Sequence, residues 1–367
     1  MKLSWLLPLS AVSTNVLLLG SVGFAQTSIS PAGETNINTQ VNFDPQTNTY
    51  DILGGATTGQ NLFHSFEQFN LETGEAGNFL TEAGIRNVLG RVVGNDPSRL
   101  NGTLGVTGSE ANLYLMNPSG IIFGQDFQLN VPADFTATTS TAIEFENNQW
   151  FNAYGSNNFD GLGTDPIGLE FAGPETGNIV NLGDIVGKPG AKIALIGNQV
   201  VDAGSITVPD GTITIAAVPD SNLVRISQQG SLLSLEFKPL QNDRGQILPI
   251  KATDIPGLLT GLPDDRGVIS KLDLNATESY ALATGELIAP EINIVGQQVE
   301  LKGATLNADG INGGNIRVGG ELQGQTGLPT ALTTYIDQNS KTYGQRDRFR
   351  PRRSNHHLGR WSYHHAR

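Results

Sequence analysis

Two pairs of neighbouring carboxylates offer this sequence's most direct route to catalytic chemistry. Glu144 lies two residues before Glu146, and Asp264 is followed directly by Asp265. Paired carboxylates are the groups that glycoside hydrolases use as acid, base or nucleophile. Spacing alone brings neither pair to a common cleft, and each is equally typical of a solvated strand edge or a turn. A β-helical, carbohydrate-active enzyme is therefore kept as an alternative function, and no catalytic residue is assigned.

Candidates for metal binding are equally weak. His64 lies between Phe63 and Phe66, and a single histidine in the body of the chain favours a buried structural role. The stretch from Asn307 through Asp309 to Gly314 has the residue types of a calcium turn, but it does not repeat. The remaining histidines all lie close to the end of the chain: His356, His357, His364 and His365. We assign no metal and no cofactor.

The N-terminal segment, 1–25, has the pattern of a secretory signal peptide. Lys2 precedes an apolar segment over residues 3–19, and small residues lead to Ala25, after which we expect cleavage. Pro8 and several polar residues make the segment a poor membrane anchor. The sequence therefore predicts a chain that is exported and soluble outside the inner membrane.

Charge and composition narrow the classes of partner and fold. The formal net charge is -13, but residues 341–367 carry +7, which leaves -20 on the remainder. An acidic body repels nucleic acid, so no nucleic-acid partner is expected. Cysteine is absent, so stability must come from an apolar core. Forty-five glycines and only 16% charged residues favour many tight turns over helices.

Short apolar segments recur at a regular interval along the second half of the chain. Ile193, Ile213 and Leu233 each begin such a segment, and two further series lie between them. Three short strands per repeat are typical of a β-solenoid, in which each coil stacks on the previous one. If the whole chain followed this pattern, about 15 coils spaced ~4.8 Å apart would form a rod of roughly 70 Å. The sequence thus predicts an all-β, β-helical fold.

Three regions depart from the period. Residues 241–273 are rich in proline and glycine, which indicates a loop excursion before the pattern resumes at residue 292. Residues 29–79 concentrate phenylalanines and are predicted to form an N-terminal cap: Phe43, Phe63, Phe66, Phe69 and Phe79. From Lys341 the composition turns to arginine and histidine. We expect a disordered or out-of-frame tail there, at the end of a shortened chain.

One corner in the sequence carries the strongest functional signal. Apolar strand segments flank Asn117-Pro118-Ser119-Gly120, and these four residue types favour a sharp turn. With Ile121, the run resembles the Asn-Pro-Asn-Gly-Ile motif of the filamentous haemagglutinin family, the exported proteins of bacterial two-partner secretion. Three further ordered marks support the resemblance: Asn61-Leu62-Phe63-His64-Ser65-Phe66, Asn78-Phe79-Leu80 and Arg91-Val92-Val93-Gly94.

The resemblance implies both a fold and a partner. It implies a right-handed parallel β-helix that is recognised in the periplasm by an outer-membrane β-barrel transporter with soluble recognition domains. The implied function is an adhesin that is secreted or displayed at the surface of a bacterium with an outer membrane, where host-cell or surface glycans are candidate receptors. Asn117, Pro118, Ser119, Gly120 and Ile121 form the implied transporter-recognition motif. Two departures are visible: Ser119 replaces an asparagine, and the family's Asn-Pro-Asn-Leu motif is absent.

These observations divide the chain into four predicted parts. The signal peptide covers residues 1–25, the two-partner secretion domain 26–220, a continuation of the β-helix 221–340, and the basic tail 341–367. A truncated carrier of a C-terminal toxin is a further alternative function.

Overall fold

The structure is a computed structural model that describes residues 29–34, 36–172, 177–219, 222–225, 236–239, 279–310, 313–320 and 331–345. The predicted signal peptide, the predicted strand at Leu233, the predicted loop excursion at 241–273, the Asp264-Asp265 pair and the tail histidines lie outside these residues.

Strands make up nearly all of the regular structure. The first half of the described chain contains β1 (Ser30–Pro31), β2 (Thr39–Asp44), β3 (Thr49–Gly54), β4 (Ala56–Thr58), β5 (Asn61–Gln68), β6 (Ala76–Leu80), β7 (Asn87–Val92), β8 (Ser98–Leu100), β9 (Thr103–Thr107), β10 (Asn112–Met116), β11 (Ile121–Phe123), β12 (Gln128–Asn130), β13 (Phe135–Thr138), β14 (Ala142–Phe145), β15 (Gln149–Asn152) and β16 (Gly168–Phe171).

The second half contains β17 (Ile179–Asn181), β18 (Asp184–Val186), β19 (Lys192–Gly197), β20 (Gln199–Asp202), β21 (Ser205–Thr207), β22 (Thr212–Ala217), β23 (Asn222–Arg225), β24 (Glu236–Pro239), β25 (Tyr280–Ala283), β26 (Glu286–Ile288), β27 (Glu291–Val295), β28 (Gln298–Leu301), β29 (Thr305–Asn307), β30 (Asn315–Val318), β31 (Thr333–Ile336) and β32 (Lys341–Tyr343). A single 3-10 turn, Glu146–Asn148, is the only helical element among the described residues, and none of these residues forms a helix able to cross a membrane.

The strands stack into a parallel β-helix, as the sequence predicted. Sheet A contains β5, β7, β10, β13, β19, β22, β27 and β30, each parallel to the next, and these strands begin eight successive coils. Sheet B forms the second face in the order β8, β11, β17, β20, β25, β28, β31. The third face consists of sheet C1, in which β3, β6, β9 and β12 follow one another, and sheet C2, with β18, β21, β26, β29 and β32.

The coil length changes along the axis. Asn61, Asn87 and Asn112 occupy equivalent positions 26 and 25 residues apart in the first three coils. The shorter repeat predicted from the sequence holds between Ile193 and Ile213, which are register partners in β19 and β22. The shorter coils follow the longer ones without a break in sheet A.

The described residues form fewer coils than expected, because two insertions interrupt the stack. Part of the chain that the sequence pattern assigned to the solenoid instead forms an antiparallel outer sheet in the order β15, β14, β16, β23, β24. The neighbour of β22 in sheet A is β27, in which Ile292 pairs with Ile213. The next rung after β22 is therefore β27, and the described residues form eight coils rather than about 15.

Sheet A is buried on both faces, which explains its nearly continuous apolar strands. In β10, Leu113 and Leu115 point into the interior of the β-helix, whereas Tyr114 and Met116 point outward. The outward residues pack with Phe145, Phe151 and other side chains of the outer sheet. The molecule thus has an inner core within the coils and an outer core between sheet A and the outer sheet.

Antiparallel strands close the N-terminal end, as predicted. β1 and β4 pair with β5, and β2 pairs with β3, so the first coil does not present its strands as open edges there. Four of the five phenylalanines of this region are fully buried, but Phe43 is 43% exposed and packs against Tyr50 with its ring tilted by 35°. At the other end, β32 pairs with β29, so the last coil extends past Lys341, where the sequence suggested that the tail begins.

Glycines at one corner permit the coils to stack closely. A Cβ atom on Gly204 would lie 1.9 Å from the carbonyl oxygen of Gly183, and one on Gly285 would lie 1.8 Å from that of Gly204. These contacts involve backbone atoms that cannot move without separating the coils. Only glycine therefore fits the stacked corner positions of Gly204 and Gly285.

We predict that Gly204→Ala lowers the free energy of unfolding by about 2 kcal/mol or more, because the new methyl group must displace backbone. Urea unfolding followed by circular dichroism measures this change. Gly310→Ala is the matched control, since its Cβ would meet Pro290 at 3.8 Å and the Gly313 carbonyl oxygen at 3.9 Å, both ordinary van der Waals contacts. Equal stability of the two variants would contradict the close approach.

Candidate functional site

The run singled out from the sequence forms a closed turn at the corner between sheets A and B. It joins β10 to β11, and the backbone N–H of Gly120 donates to the carbonyl of Asn117 at 3.0 Å. The Asn117 side-chain Oδ1 accepts from the N–H of Ser119 at 2.9 Å. Pro118 presets the backbone of the second turn position, and Gly120 has a φ of +121°, which favours glycine.

Asn117 also ties this corner to the preceding coil. Its Nδ2 donates to the carbonyl of Asp96 at 3.1 Å and to the Ser98 hydroxyl at 3.0 Å. The Ser119 hydroxyl donates to the carbonyl of Gly94 at 3.3 Å. Asn117 is completely buried, so its hydrogen bonds replace those that water would otherwise make.

The following coil closes over the other side of the corner. The N–H of Gly177 donates to the Pro118 carbonyl at 2.5 Å, and the N–H of Ile121 donates to the carbonyl of Asn178 at 3.0 Å. A Cβ on Gly177 would lie 2.4 Å from the Ser119 carbonyl carbon. Of the five residues of the predicted recognition motif, only Ser119 is partly exposed.

We predict that Asn117→Ala lowers the free energy of unfolding by about 2–3 kcal/mol, because it removes three hydrogen bonds and leaves buried groups unpaired. Ser119→Asn should change it by less than about 1 kcal/mol, since its side chain is partly exposed and asparagine also suits turns. Urea unfolding of both variants measures the contrast. A stable Asn117→Ala protein would show that the corner does not hold the coils together.

A second motif of the sequence, at Arg91, connects three parts of the fold. Arg91 is fully buried, and its Nη2 contacts Glu34 of the cap at 2.5 Å. Its Nε donates to Ser65 of β5 at 3.0 Å, and Nη1 donates to the carbonyl of Asn152 in the outer sheet at 2.5 Å. A further bond reaches the carbonyl of Gly155 at 3.0 Å. The Arg91 guanidinium group therefore binds the cap, the first coil and the outer sheet at the same time.

Burial lowers the pKa of Arg91, and the neighbouring Glu34 carboxylate acts in the opposite direction. The side chain also lies over the ring of Phe151, with 5.5 Å between Cζ and the ring centroid. A flexible ammonium group could not reproduce this fork of donors.

We predict that Arg91→Met costs about 3–5 kcal/mol of unfolding free energy, because it leaves the Glu34 carboxylate without its cation and two carbonyls without their donor. Arg86→Met is the control: this half-exposed arginine forms a 3.4 Å surface pair with Asp165, and its loss should cost at most about 1 kcal/mol. Chemical unfolding measures both. Similar losses would contradict the connecting role of Arg91.

Asn61, the first residue of another motif, belongs to a column of asparagines that stack on one another in successive coils. Asn87 donates to Asn61 at 2.8 Å, and Asn112 donates to Asn87 at 2.8 Å. Asn61 also donates to the carbonyl of Leu162 at 2.6 Å, which anchors the insertion that carries the outer sheet. The motif that begins at Asn61 does not by itself predict this column. The recurrence of asparagine at these three evenly spaced positions was its visible signal.

His64 is a fully buried residue of β5. Its ring lies near Phe66 and Phe79, and Nδ1 is 3.4 Å from the Thr39 hydroxyl. Burial lowers the pKa of His64 to about 3. The imidazole is therefore neutral in the folded protein across the physiological range. Among the described residues no group of three potential metal ligands occurs.

The buried imidazole makes stability depend on pH in a defined direction. In the unfolded chain histidine binds a proton below about pH 6.5, whereas folded His64 does not. The stability that the protein gains from burying neutral His64 is therefore fully present above pH 6.5 and is lost as the pH falls towards 3. We predict that the unfolding free energy of the parent falls about 2 kcal/mol further between pH 7 and 5 than that of His64→Gln. Identical pH slopes in urea unfolding would refute the burial of a neutral ring.

The other residues with potential chemistry do not converge. Glu144 is only 3% exposed, whereas Glu146 is exposed and lines an open polar cavity of about 320 Å³ with Arg86 and Asp165. The Asp309 carboxylate accepts from the backbone N–H of Gln345 at 2.6 Å, which ties its loop to the end of the following coil. Glu144 and Glu146 therefore do not share a cleft, and the Asp264-Asp265 pair lies outside the described residues.

Fold and corner together define a class: a capped parallel β-helix in which a buried Asn-Pro-Ser-Gly turn locks three coils. A family model, the TPS secretion domain, matches residues 27–255. Because this match covers more than half of the sequence, the chain belongs to the family of TPS, or two-partner secretion, domains. This family comprises secretion domains of exoproteins that engage a transporter, and it is not a family of enzymes.

Two solved secretion domains were found by structural similarity, and the first supports the fold. The HMW1 secretion domain from Haemophilus influenzae matches with a TM-score of 0.51 and 20% identity over 87% of this chain and 84% of that one. The filamentous hemagglutinin secretion domain matches with a TM-score of 0.47 and 15% identity over 86% and 99% of the two chains. None of the curated proteins compared with the chain matches it.

Proposed function

We propose that this chain is an adhesin-like exoprotein that is secreted or displayed at the cell surface after an outer-membrane β-barrel transporter recognises its N-terminal β-helix in the periplasm. The observation that supports this function most strongly is the match of the secretion-domain model to residues 27–255, on a chain that folds as a capped β-helix. Residues 1–25 supply the signal for crossing the inner membrane in this proposal.

The recognition motif in the proposal is the corner at Asn117, Pro118, Ser119, Gly120 and Ile121. A transporter that binds the folded domain meets the partly exposed Ser119, because the other four residues are buried. A transporter that binds the chain before the coils close meets all five. The two modes differ in how secretion responds to a change of the Ser119 side chain.

Adhesion is the proposed role after export. A stack of coils presents long, regular faces to solvent, and sheet C2 exposes side chains such as Asp184, Val186 and Lys341 along one of them. Glycans of host cells or other surfaces are the proposed receptors. The acidic body disfavours nucleic acid. We retain the proposed division of the exported chain into a secretion domain to residue 220 and a continuation to residue 340.

We predict that release into the medium requires one dedicated transporter. The full chain, with residues 1–25, would be expressed in a bacterium with an outer membrane, with and without the transporter encoded beside it. Medium and periplasm are then assayed by immunoblot. The expected result is release only with the transporter and retention in the periplasm without it. Equal release in both strains would contradict the proposed function.

The Ser119→Asn variant separates the two modes of recognition. If the transporter contacts this side chain, secretion changes while urea unfolding stays the same as in the parent. If the corner acts only through its folded shape, both measurements remain unchanged. Arg86→Met, which alters a surface distant in sequence from the corner, is the control for nonspecific effects on export.

A further inference from the structure

A polar cavity of about 320 Å³ lies where the insertion that carries the outer sheet meets the start of the first two coils. Gln60 directly precedes β5, and Arg86 directly precedes β7. Glu146 of the 3-10 turn and residues of the loop that leads into β16 complete the lining. The volume lies at the lower end of the ~300–1,000 Å³ range of small-molecule sites, so the cavity has room for a small ligand.

The asparagine column holds the loop of this cavity in place. Asn61 Nδ2 donates to the carbonyl of Thr164 at 2.6 Å, and Asn87 Nδ2 donates to Oδ1 of Asp165 at 2.9 Å. Asn87 in turn donates to Asn61, so the loop is fixed to two successive coils. A site whose groups are already held in position loses less conformational entropy when a ligand binds.

The Thr164 side chain offers the cavity a hydroxyl group that the described chain does not use. Its Oγ1 is buried, and among the described residues it has no hydrogen-bond partner. Most buried hydroxyl groups in folded proteins do have a partner, because burial without one costs free energy. Thr164 is partly exposed and lines the polar cavity, so rotation about χ1 can turn its hydroxyl towards a molecule bound there.

The other groups that line the polar cavity select the chemistry of its ligand. The carboxylates of Glu146 and Asp165 accept hydrogen bonds, the Arg86 guanidinium donates them, and the Gln60 amide does both. An anion would meet two carboxylates and one guanidinium, a cation would meet Arg86, and an apolar ligand would find little aliphatic surface besides Ile167. Each hydroxyl group of a neutral sugar both donates and accepts. A neutral saccharide therefore suits this lining best.

We propose that the polar cavity binds a neutral saccharide, whose hydroxyl groups form hydrogen bonds with Glu146, Asp165, Arg86 and Thr164. The side chains of Arg86 and Asp165 are 57% and 28% exposed, so a ligand can reach both members of this 3.4 Å pair. The proposal rests on the adhesive function proposed above, because it assigns a site to the glycan receptors of that function.

Titration of the purified full chain with simple sugars tests the ligand class. The neutral probes are methyl α-D-glucoside, methyl α-D-galactoside and methyl α-D-mannoside, and N-acetylneuraminic acid is the anionic comparison. Saturation-transfer NMR measures binding. We expect saturable binding of at least one neutral glycoside with a dissociation constant in the millimolar range, and binding of the acid that is weaker by about tenfold or more. Failure of all three glycosides to bind, or comparable or tighter binding of the acid, would overturn the proposal.

Two variants test the location of the site. Thr164→Val removes only a hydroxyl that has no partner among the described residues, and Glu146→Gln changes an exposed side chain, so both should unfold in urea like the parent. Each should weaken binding of the glycoside about fivefold or more, because each alters one hydrogen-bonding group of the cavity.

Matched controls lie outside the polar cavity. The hydroxyl of Thr214, in β22, is likewise buried without a partner among the described residues, and Glu110 is an exposed carboxylate. Thr214→Val and Glu110→Gln should bind the glycoside like the parent. Equal binding by all four variants, or equal weakening in all four, would overturn the site.

Secretion of the parent separates failure of the site from failure of the proposed function. If the chain is released only with its transporter but binds none of the glycosides, the saccharide site is wrong and transporter-dependent secretion stands. If release is equal with and without the transporter, the proposed secretion is wrong whatever the sugar titrations give.

Discussion

Stacking of coils in register is the constraint on which the rest of this structure depends. The strands of each coil pair with those of the next, so a coil is stable only between neighbours or beneath a cap. This requirement explains why the corners contain glycine, where Gly183, Gly204 and Gly285 follow one another. It also explains why buried polar residues such as Asn61, Asn87 and Asn112 form columns, since each can bond to its equivalent in the adjacent coil.

The same constraint explains the contacts of Asn117 and Arg91. Asn117 bonds to the coil before it and to its own turn, while the coil after it closes over Pro118 and Ile121. Arg91 plays the corresponding part at the N-terminal end, where it joins Glu34 of the cap to the outer sheet. Asn117 and Arg91 thus each hold separate layers of the fold together. Recognition by a transporter, as proposed, operates on a corner whose shape is already fixed by these bonds.

Local sequence pattern predicted much of the fold, because a coil is built from short-range repeats. The repeat at Ile193 and Ile213, the capping segment and the turn at Asn117 are all visible as periodicity or turn chemistry. Spacing does not predict that β27 follows β22 in sheet A, because a long stretch of chain separates these two strands. Buried partners were harder to predict than strands. The motif around Arg91 is visible in the sequence. Its contacts are not, because Glu34 of the cap and Asn152 of an insertion, which enclose the guanidinium, both lie far away along the chain. The outward apolar residues of β10 likewise suggested a simple strand, whereas they form half of an outer core.

The central claim is that the Asn-Pro-Ser-Gly corner is an integral, buried part of the coil stack. Residue-resolved hydrogen exchange on the folded chain tests it most directly, because the N–H groups of Asn117, Gly120 and Ile121 all donate within the structure. The account predicts that these amides exchange only on global unfolding, with the same protection as the strands of sheet A. Exchange at the rate of an open surface loop would contradict it.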